Sequence, residues 1–411
     1  SLKVAPNSQF LVSYIGYKQQ TIKVGSESTY NIVLKEDAEV LDEVVVVGYG
    51  SQKKVNVTGA VGMVSAEALE ARPVANASQA LQGVVPGLNL TVGNNGGALD
   101  GTLNMNIRGA GTIGDGSGSS PLVLIDGIEG DLNTVNPNDI ESVSVLKDAA
   151  SASIYGARAS FGVILVTTKS GKSGKTNVSY SGSARFSDAI GIPDIMDSYT
   201  FAQYFNRASA NKGGGDIFAP AVMERIKAYQ EGTLKATTVD NGAGIWQKWA
   251  NANGNTDWFE EFYDHWAPSQ EHNLSINGGT DKTQYLISGS FLDQKGLMRH
   301  GSDKFQRYTL NGKITTAVTD WFKVTYSTKW TREDFERPTY LTGSFFHNLA
   351  RKWPVHPAYD PNGFPMDEGE VEQMENGGKQ NSQKDFYTNQ LQLVFEPIKN
   401  WKINLDGSVR T

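Results

Sequence analysis

Residues 321–331, WFKVTYSTKWT, decide the fold, because their apolar and polar side chains alternate strictly. Phe322 and Val324 fall on one face of an extended chain, whereas Lys323 and Thr325 fall on the other. Alternation over roughly ten residues is typical of a β-strand with one apolar and one wet face. Two architectures remain open at this point. One is a transmembrane barrel around a watery lumen, and the other is a soluble β-sandwich whose apolar face is buried.

Six further segments alternate in the same way. They are VSYSGSARF (178–186), HNLSING (272–278), QYLISGSFLD (284–293), RYTLNGKITTAV (307–318), TNQLQLVF (388–395) and WKINLDGSV (401–409). The connections alternate between tight turns (278–282, 319–320, 396–400) and longer loops (187–271, 294–306, 332–387). This order is typical of a barrel with small turns on one side of a membrane and large loops on the other. Phe322 and Trp401 follow tight turns, where an aromatic girdle is expected. The pattern favours a mainly β, antiparallel transmembrane barrel, of which this chain carries about the first seven strands.

Residues 59–175 have a different character and predict a glycine-punctuated α/β unit. Helices are expected at 66–71, 78–82 and 148–155, and Asn136-Pro137 is a favourable helix start. Strands are expected at 88–92, 103–108, 121–126, 141–146 and 162–168. In the fourth of these strands, valines alternate with serines. Seven barrel strands could not close around a unit of this size, so we expect the rest of the barrel to lie outside this sequence.

The run LDEVVVVGYG (41–50) stands apart, with linker-like sequence on both sides. Four consecutive β-branched residues favour an extended backbone. A buried central strand is one interpretation of the run. The other is a detachable strand that pairs with the sheet edge of another protein through main-chain hydrogen bonds. The short β-rich segments of residues 1–36 indicate an incomplete β-domain before it.

Composition narrows the function classes. The formal net charge is −7, so no sequence-wide basic character indicates a nucleic-acid partner. The chain contains no cysteine, which excludes disulfides and thiolate metal sites. The sequence shows no leader peptide and no apolar run of about 18 residues that would predict a membrane-spanning helix.

Several segments together carry a family resemblance. The longest is NPNDIESVSVLKDAASASIYGARASFGVILVTTK (136–169). The others are VSYIGYK (12–18), LDEVVVVGYG (41–50), LQGVVPGL (81–88), NIRG (106–109), PLVLIDG (121–127) and EHNLSINGG (271–279). With these segments the sequence resembles the SusC/RagA-like TonB-dependent transporters of the Gram-negative outer membrane, over essentially its whole length.

The resemblance implies four parts. Residues 1–36 would be the C-terminal part of a carboxypeptidase-regulatory-like β-sandwich, 37–58 the TonB box with its linker, 59–175 the plug domain and 176–411 an incomplete barrel. The full barrel would have about 22 strands around the plug. The implied TonB box residues are Asp42, Glu43, Val44, Val45, Val46 and Val47. Arg108 is expected to form a contact between plug and barrel.

The implied function is TonB-dependent import of a nutrient oligomer, a glycan or a peptide, across the outer membrane. TonB with ExbB and ExbD would supply the force, a SusD-like surface lipoprotein would form a lid, and outer-membrane lipid would surround the barrel. No catalytic residue, metal, cofactor or nucleic-acid partner is implied. The alternatives are a signalling receptor, a TonB-dependent receptor for another ligand such as a siderophore, and a glycan-degrading enzyme that uses carboxylates of loop 187–271.

Other motifs are better explained structurally. Gly109, Gly111 and Gly114 spell GxGxxG, but no helix is expected after them, so a phosphate site is disfavoured. His265 and His272 lack the spacing of a zinc motif. Adjacent carboxylates such as Glu260-Glu261 point apart on most backbones, which disfavours a glycosidase pair. The sequence 360–363, DPNG, predicts a turn. Loop tryptophans, which suit either sugar stacking or loop packing, are Trp246, Trp249, Trp258, Trp266 and Trp353.

Overall fold

The structure is a computed structural model and describes most of the chain. The described residues are 9–12, 20–23, 32–33, 44–47, 50–53, 61–70, 72, 74–92, 98–99, 101, 103–107, 109, 120–148, 152–399 and 401–411. In these residues, no helix has both the length and the apolar character needed to cross a membrane.

Two short hairpins come first along the chain. Strand β1 (Gln9–Val12) pairs antiparallel with β2 (Gln20–Lys23), within the segment where an incomplete β-domain was expected. Strand β3 (Val44–Val47) pairs antiparallel with β4 (Gly50–Lys53). The valine run is therefore extended, as its β-branched residues predict.

The next elements form a unit that we call the plug unit, residues 61–168. Its elements are β5 (Val61–Ser65), α1 (Ala66–Glu70), α2 (Ala77–Leu81), β6 (Leu88–Val92), β7 (Leu103–Ile107), β8 (Leu122–Ile125), β9 (Ile128–Glu129), β10 (Ile140–Leu146) and β11 (Val163–Thr168). Five strands form one sheet in the order β5-β10-β11-β8-β9, and β6 pairs with β7 in a separate hairpin. Only the β11–β8 pairing in this sheet is parallel.

Both faces of the central plug strands are buried. Val143 and Val145 belong to the apolar cluster that includes Leu69 and Leu81 of the two helices. Leu146 belongs to a second cluster on the opposite face, together with Val163 and Leu165. The alternation of valine and serine in β10 therefore does not produce a wet face, and Ser144 is only 2% exposed.

One predicted helix of the plug unit is different in the structure. The predicted helix 148–155 overlaps a 3₁₀ helix, Ser153–Ala159, which runs past the predicted end, and residues 149–151 lie outside the described part. Gly156, one residue beyond the predicted helix, has φ 69° and ψ −157°, which no helix adopts. Glycine tolerates this conformation because it has no Cβ. In the described residues the prediction of a helix over 148–155 is therefore confirmed only in part: the Ala152 N–H donates to Asp148 O, as in an α-helix, and a 3₁₀ helix follows from Ser153.

The remaining strands form a seven-stranded antiparallel sheet that we call the strand wall. Its strands are β12 (Gly174–Ser187), β13 (Ala267–Gly279), β14 (Thr283–Lys295), β15 (Lys304–Thr319), β16 (Phe322–Pro338), β17 (Lys379–Ile398) and β18 (Trp401–Arg410). Each strand pairs with the next along the chain. The tight turns and long connections lie where the sequence predicts them, but most strands extend beyond their predicted ends toward the long connections.

The two faces of the strand wall differ in polarity. The register Leu274↔Gly289↔Leu310↔Trp330↔Tyr387 forms one row of the outer face. In this row Leu274, Leu310 and Tyr387 are 48%, 53% and 42% exposed. Near the tight turns, Phe322 and Phe395 stack with their ring centroids 4.6 Å apart. Beyond Trp330 the outer face becomes charged, with ion pairs such as Arg332–Asp385. An apolar band with aromatic residues at its two edges is the outer surface of a membrane barrel.

The three long connections fold together into what we call the loop unit, residues 188–266, 296–303 and 339–378. Its helices are α3 (Ser198–Asn211), α4 (Pro220–Gln230), α5 (Trp258–Phe262), α6 (Gly343–Leu349) and α7 (Val371–Asn376). Trp258, Met298 and Phe345, one from each connection, share an apolar cluster and are at most 4% exposed. Tryptophans of this unit thus contribute to packing, and their shared core makes the connections one folded body.

The junction between plug unit and strand wall predicts a steric test. A Cβ on Gly171 would lie 2.5 Å from the carbonyl O and 2.6 Å from the carbonyl C of Tyr285 in β14. We expect Gly171→Ala to destabilise the full-length protein by about 1–3 kcal/mol, because the backbone must move to accommodate the methyl group. Thermal unfolding in detergent measures the effect. Gly215→Ala is the control, since a Cβ there meets no atom within 4 Å. Equal melting temperatures for the two variants would contradict the packing described here.

Candidate functional site

The plug unit contacts the polar, inner face of the strand wall. The hydrogen-bonding partners on the plug side are Ala75, Asp126, Glu129, Asn133, Thr134, Asn136, Asp139 and Thr168. Several of these contacts use plug backbone carbonyls as acceptors, including those of Ala75, Asn133 and Thr134. The wall residues that donate are those whose side chains alternate with the outer apolar row. The interface is therefore largely polar.

Asp126 is the most heavily bonded plug residue in this interface. Its carboxylate lies 2.6 Å from Lys329 Nζ and 3.9 Å from Lys313 Nζ. It also accepts hydrogen bonds from the backbone N–H of Thr168 at 2.9 Å and from its hydroxyl at 2.6 Å. Gln390 Nε2 donates to the Asp126 carbonyl at 3.0 Å. Three adjacent wall strands thus converge on one plug residue.

The turn that carries Asp126 explains its position. Asp126 and Gly127 connect β8 to β9 with φ values of 50° and 86°. Two consecutive residues with positive φ form the tight hairpin turn for which Asp-Gly is a preferred sequence. The turn directs Asp126 away from the plug core and toward the wall lysines.

Electrostatics favour the ionised form of Asp126. Burial alone would raise the pKa of its carboxyl, but the coulombic attraction of Lys329 and Lys313 and the hydrogen bonds of Lys329 and Thr168 hold that pKa well below its ordinary value. A depressed pKa contributes stability at every pH above the ordinary value of 3.8, and that contribution is lost as the pH falls below it. At neutral pH the carboxylate therefore stays charged and paired.

Arg307 forms a second contact, which joins two plug segments to β15. Its Nη1 donates to Asn133 O at 2.7 Å and its Nη2 donates to Ala75 O at 2.5 Å. The whole residue is 2% exposed. The Ser78 hydroxyl bonds Asn133 Oδ1 at 2.5 Å and so connects the same two plug segments to each other. One wall side chain thus fixes residues 75 and 133 together.

Asp139 and Asn136 complete the polar interface. Asn311 Nδ2 donates to Asp139 Oδ2 at 2.5 Å, and Asn136 bonds the amide of Asn273. Burial raises the pKa of the Asp139 carboxyl despite hydrogen bonds from Ser288 and Asn311. Asn136 also caps the 3₁₀ helix Pro137–Asp139, the helix start that the sequence predicts.

The residues predicted from the sequence are placed as follows. Val44–Val47 form strand β3, whereas Asp42, Glu43 and Arg108 lie outside the described residues. Asp126 and Arg307 were not predicted. The Asp-Gly turn and the polar faces of the alternating strands were signals for them, but the pairing of Asp126 with lysines about 190 and 200 residues away was not visible in the sequence.

Two other motifs lie within the described residues. Glu260 and Glu261 point to different histidines, His265 at 3.0 Å and His300 at 3.0 Å, and form no acid pair. Asp360 Oδ1 accepts the backbone N–H groups of Asn362 and Phe364 and so forms the predicted turn.

Comparison with known proteins agrees with this geometry. Residues 53–163 match the family model of the TonB-dependent Receptor Plug Domain. The chain is 34% identical over 310 residues to the TonB-dependent receptor SusC of Bacteroides thetaiotaomicron, covering 73% of this chain and 27% of SusC. It is 32% identical over 358 residues to TonB-dependent receptor P39 of Formosa agariphila, covering 86% of this chain and 31% of that protein. The RagAB peptide importer in its open-open state superposes with a TM-score of 0.71 at 26% identity, covering 90% of this chain and 42% of the other.

A plug unit held against the polar face of an antiparallel wall defines a TonB-dependent receptor. Within that class the chain belongs to the SusC/RagA-like family. It spans about a quarter to a third of the length of the curated relatives it matches.

The Asp126 contact predicts how the plug unit is retained. Asp126→Asn leaves Lys329, whose side chain is 23% exposed, without the carboxylate that pairs with it. Breaking one partner of a buried ion pair costs about 3–5 kcal/mol, and the partial exposure of Lys329 lowers that cost. We expect the plug unit of the full-length protein to lose hydrogen-exchange protection at a lower urea concentration, while the strand wall keeps its protection. Adding Lys329→Gln recovers part of the loss, since the uncompensated cation is removed.

Glu141→Gln serves as the control for that prediction, because Glu141 is an exposed carboxylate of the same unit. A plug unit that resists urea equally well in Asp126→Asn and Glu141→Gln would show that the ion pair does not retain it.

Proposed function

We propose that the full-length protein imports a nutrient oligomer, a glycan or a peptide, across the outer membrane of a Gram-negative bacterium. The observation that carries this proposal is the polar plug–wall interface. In this interface a folded unit lies against the polar inner face of the wall and is held there by individual hydrogen bonds. Import then requires that the plug unit move, and no step of this activity forms or breaks a covalent bond. The RagAB structures, which are of a peptide importer, support the peptide option.

The proposed TonB box is Asp42 to Val47. A strand that lies before the plug unit can add to the sheet edge of a partner through main-chain hydrogen bonds, which resist force well when loaded together. TonB, energised at the inner membrane by ExbB and ExbD, would bind this strand and pull. An outer membrane has no nucleotide supply of its own, so force is the available source of energy.

The fold indicates which part of the plug unit would move first. Strand β5 follows the proposed TonB box and its linker along the chain, and among the described strands it pairs only with β10, at the edge of the sheet. Pulling at Val61 would therefore separate β5 from β10 and then unwind α1. Among the residues that the structure describes, the next one along the chain that bonds the wall is Ala75, through Arg307. Force would reach this contact after residues 61–74 are released.

The opposite edge of the plug sheet is held differently. Strands β8 and β9 lie at the far end from β5, and the turn between them carries Asp126. We propose that Asp126 and Arg307 keep this part in place while the β5 edge leaves. Local opening of this kind requires less free energy than expulsion of the whole unit, because fewer contacts are broken.

The proposed partner at the outer side is a SusD-like surface lipoprotein. The loop unit exposes apolar side chains that a protein partner could cover. They include Tyr204 at 62%, Ile245 at 59% and Phe364 at 67% exposure.

We also propose the domain limits that the family resemblance implies. They are the β-sandwich part at 1–36, the TonB box with its linker at 37–58, the plug domain at 59–175 and the incomplete barrel at 176–411.

The TonB box can be tested by removing main-chain donors. Successive N–H groups of a strand point to opposite edges, so Val45→Pro with Val46→Pro removes one donor at each edge of β3. We expect the double variant of the full-length protein to lose at least tenfold in affinity for the purified periplasmic domain of TonB. Val45→Thr with Val46→Thr keeps both donors and a β-branched side chain, and it should bind like the wild type. Equal binding of the two double variants would refute the assignment.

The direction of opening can be tested with engineered disulfides, because the chain has no cysteine of its own. Val64 and Val143 face each other across β5 and β10, and Ser144 and Leu165 face each other across β10 and β11. Oxidised Val64→Cys/Val143→Cys should block TonB-dependent uptake and recover on reduction, since β5 can no longer separate.

The matched control is oxidised Ser144→Cys/Leu165→Cys, which crosslinks two strands that stay together in this scheme and should leave uptake intact. The readout is uptake of the transported oligomer by cells that express the full-length protein. Block by both crosslinks would mean that the whole sheet must open, and block by neither would remove β5 from the mechanism.

A further inference from the structure

His300 lies at the point where the three connections of the loop unit meet. It belongs to the connection between β14 and β15, and it packs between α5 and α7. The residue is 6% exposed, and its ring meets the edge of Phe262 with centroids 5.2 Å apart. A titratable side chain in such a position influences how the connections stay together.

Both ring nitrogens of His300 face carboxylates. Nδ1 lies 2.8 Å from Glu375 Oε1 of α7, and Nε2 lies 3.0 Å from Glu261 Oε1 of α5. Ionised carboxylates only accept hydrogen bonds, so both nitrogens must carry a proton to satisfy the arrangement. Only the imidazolium cation has two N–H groups.

The charged groups around His300 support that protonation state. Glu261 and Glu375 come from the packed helices, Tyr359 from the segment between α6 and α7, and Arg299 precedes His300. Burial alone would lower the pKa of His300, but the hydrogen bonds and charges of Glu261 and Glu375 raise it above its ordinary value. Burial would likewise raise the pKa of Glu261, yet hydrogen bonds from His300 and Tyr359 lower it.

We propose that the His300 imidazolium is a charge-dependent clamp that holds the three connections of the loop unit together and releases them as it loses its proton. When the ring is neutral, one nitrogen becomes an acceptor that faces a carboxylate, so one hydrogen bond is replaced by repulsion. The clamp joins α5 of the first connection to α7 of the third through the second. This inference concerns the loop unit and does not depend on which oligomer is transported.

Two other histidines of the loop unit respond differently. His356 is fully buried, and burial together with the charge of Lys352 lowers its pKa to about 4, so it stays neutral through the physiological range. His265 also bridges two carboxylates, Asp188 and Glu260, but its own side chain is 43% exposed, whereas the side chain of His300 is 7% exposed. Solvent screens an exposed pair, so His265 contributes much less.

The sign of the pH dependence follows from the raised pKa of His300. The stabilising contribution is fully present below the ordinary value of 6.5 and is lost as the pH rises through the higher value in the folded protein. The loop unit should therefore be tightest at mildly acidic pH and loosen toward alkaline pH.

Hydrogen exchange of the full-length protein in detergent, corrected for intrinsic exchange rates, tests the clamp. In the wild type we expect peptides that cover α5 and α7 to lose about tenfold in protection between pH 6 and pH 9, the size of one charge-assisted hydrogen bond. Peptides of the plug strands β10 and β11 should not change. His300→Gln should show the lower protection at both pH values.

Three further variants make the test decisive. His347→Gln removes an exposed histidine on α6 and should behave like the wild type, and His265→Gln should retain most of the pH response. Glu375→Gln keeps His300 but removes one carboxylate, so it should shift the transition to lower pH, and it serves if His300→Gln does not fold. A flat wild-type profile, or a full pH response that persists in His300→Gln, would overturn the proposal.

Discussion

The arrangement of this protein depends on one constraint, the two-residue alternation of the wall strands. That alternation places apolar side chains such as Leu310 on the outer face and polar side chains such as Asn311 on the inner face. A unit that occupies the inner side cannot be retained mainly by apolar burial, because the wall there offers few apolar groups. The plug unit is instead retained by hydrogen bonds and by the partly buried Asp126–Lys329 ion pair. Only a small apolar cluster joins the two parts in the described residues, between Leu292 of the wall and Ala75 of the plug unit.

A polar interface has energetic consequences for motion. Each hydrogen bond that breaks can be replaced by one to water, so its net contribution is modest, about 0.5–1.5 kcal/mol. Exposing buried apolar surface costs more free energy, because water forms no compensating interaction with that surface. Contacts that use plug backbone carbonyls, such as those of Arg307, also do not depend on the plug side chain at that position. Such an interface can hold a folded unit in place and still release part of it under force.

Local patterns predicted the wall better than the plug–wall contacts. All seven wall strands were found from alternation. However, β16 ends later than predicted, at Pro338, and β17 begins earlier than predicted, at Lys379. Their charged extensions pair across strands, as in Lys379–Glu336, and charge hides the period-two pattern. The helix predicted at 148–155 changes to a 3₁₀ helix at Ser153, and Gly156 just beyond the predicted end adopts a conformation that local propensity does not reveal. Asp126 and Arg307 depend on residues brought together only by the complete fold, so no short-range signal identified them.

The loop unit is held together by apolar burial, in contrast to the plug unit. Its connections are held by large buried aromatic residues, such as Trp258 and Phe345, which are fully excluded from solvent. Breaking that core would expose aromatic surface, and each such side chain costs several kcal/mol when its packing is lost. One wall thus carries two neighbours with different mechanical properties. The plug unit is held by contacts that water can replace one at a time, whereas the loop unit is held by a core that water cannot replace. Force applied at the proposed TonB box would therefore move the plug unit before it disturbs the loop unit.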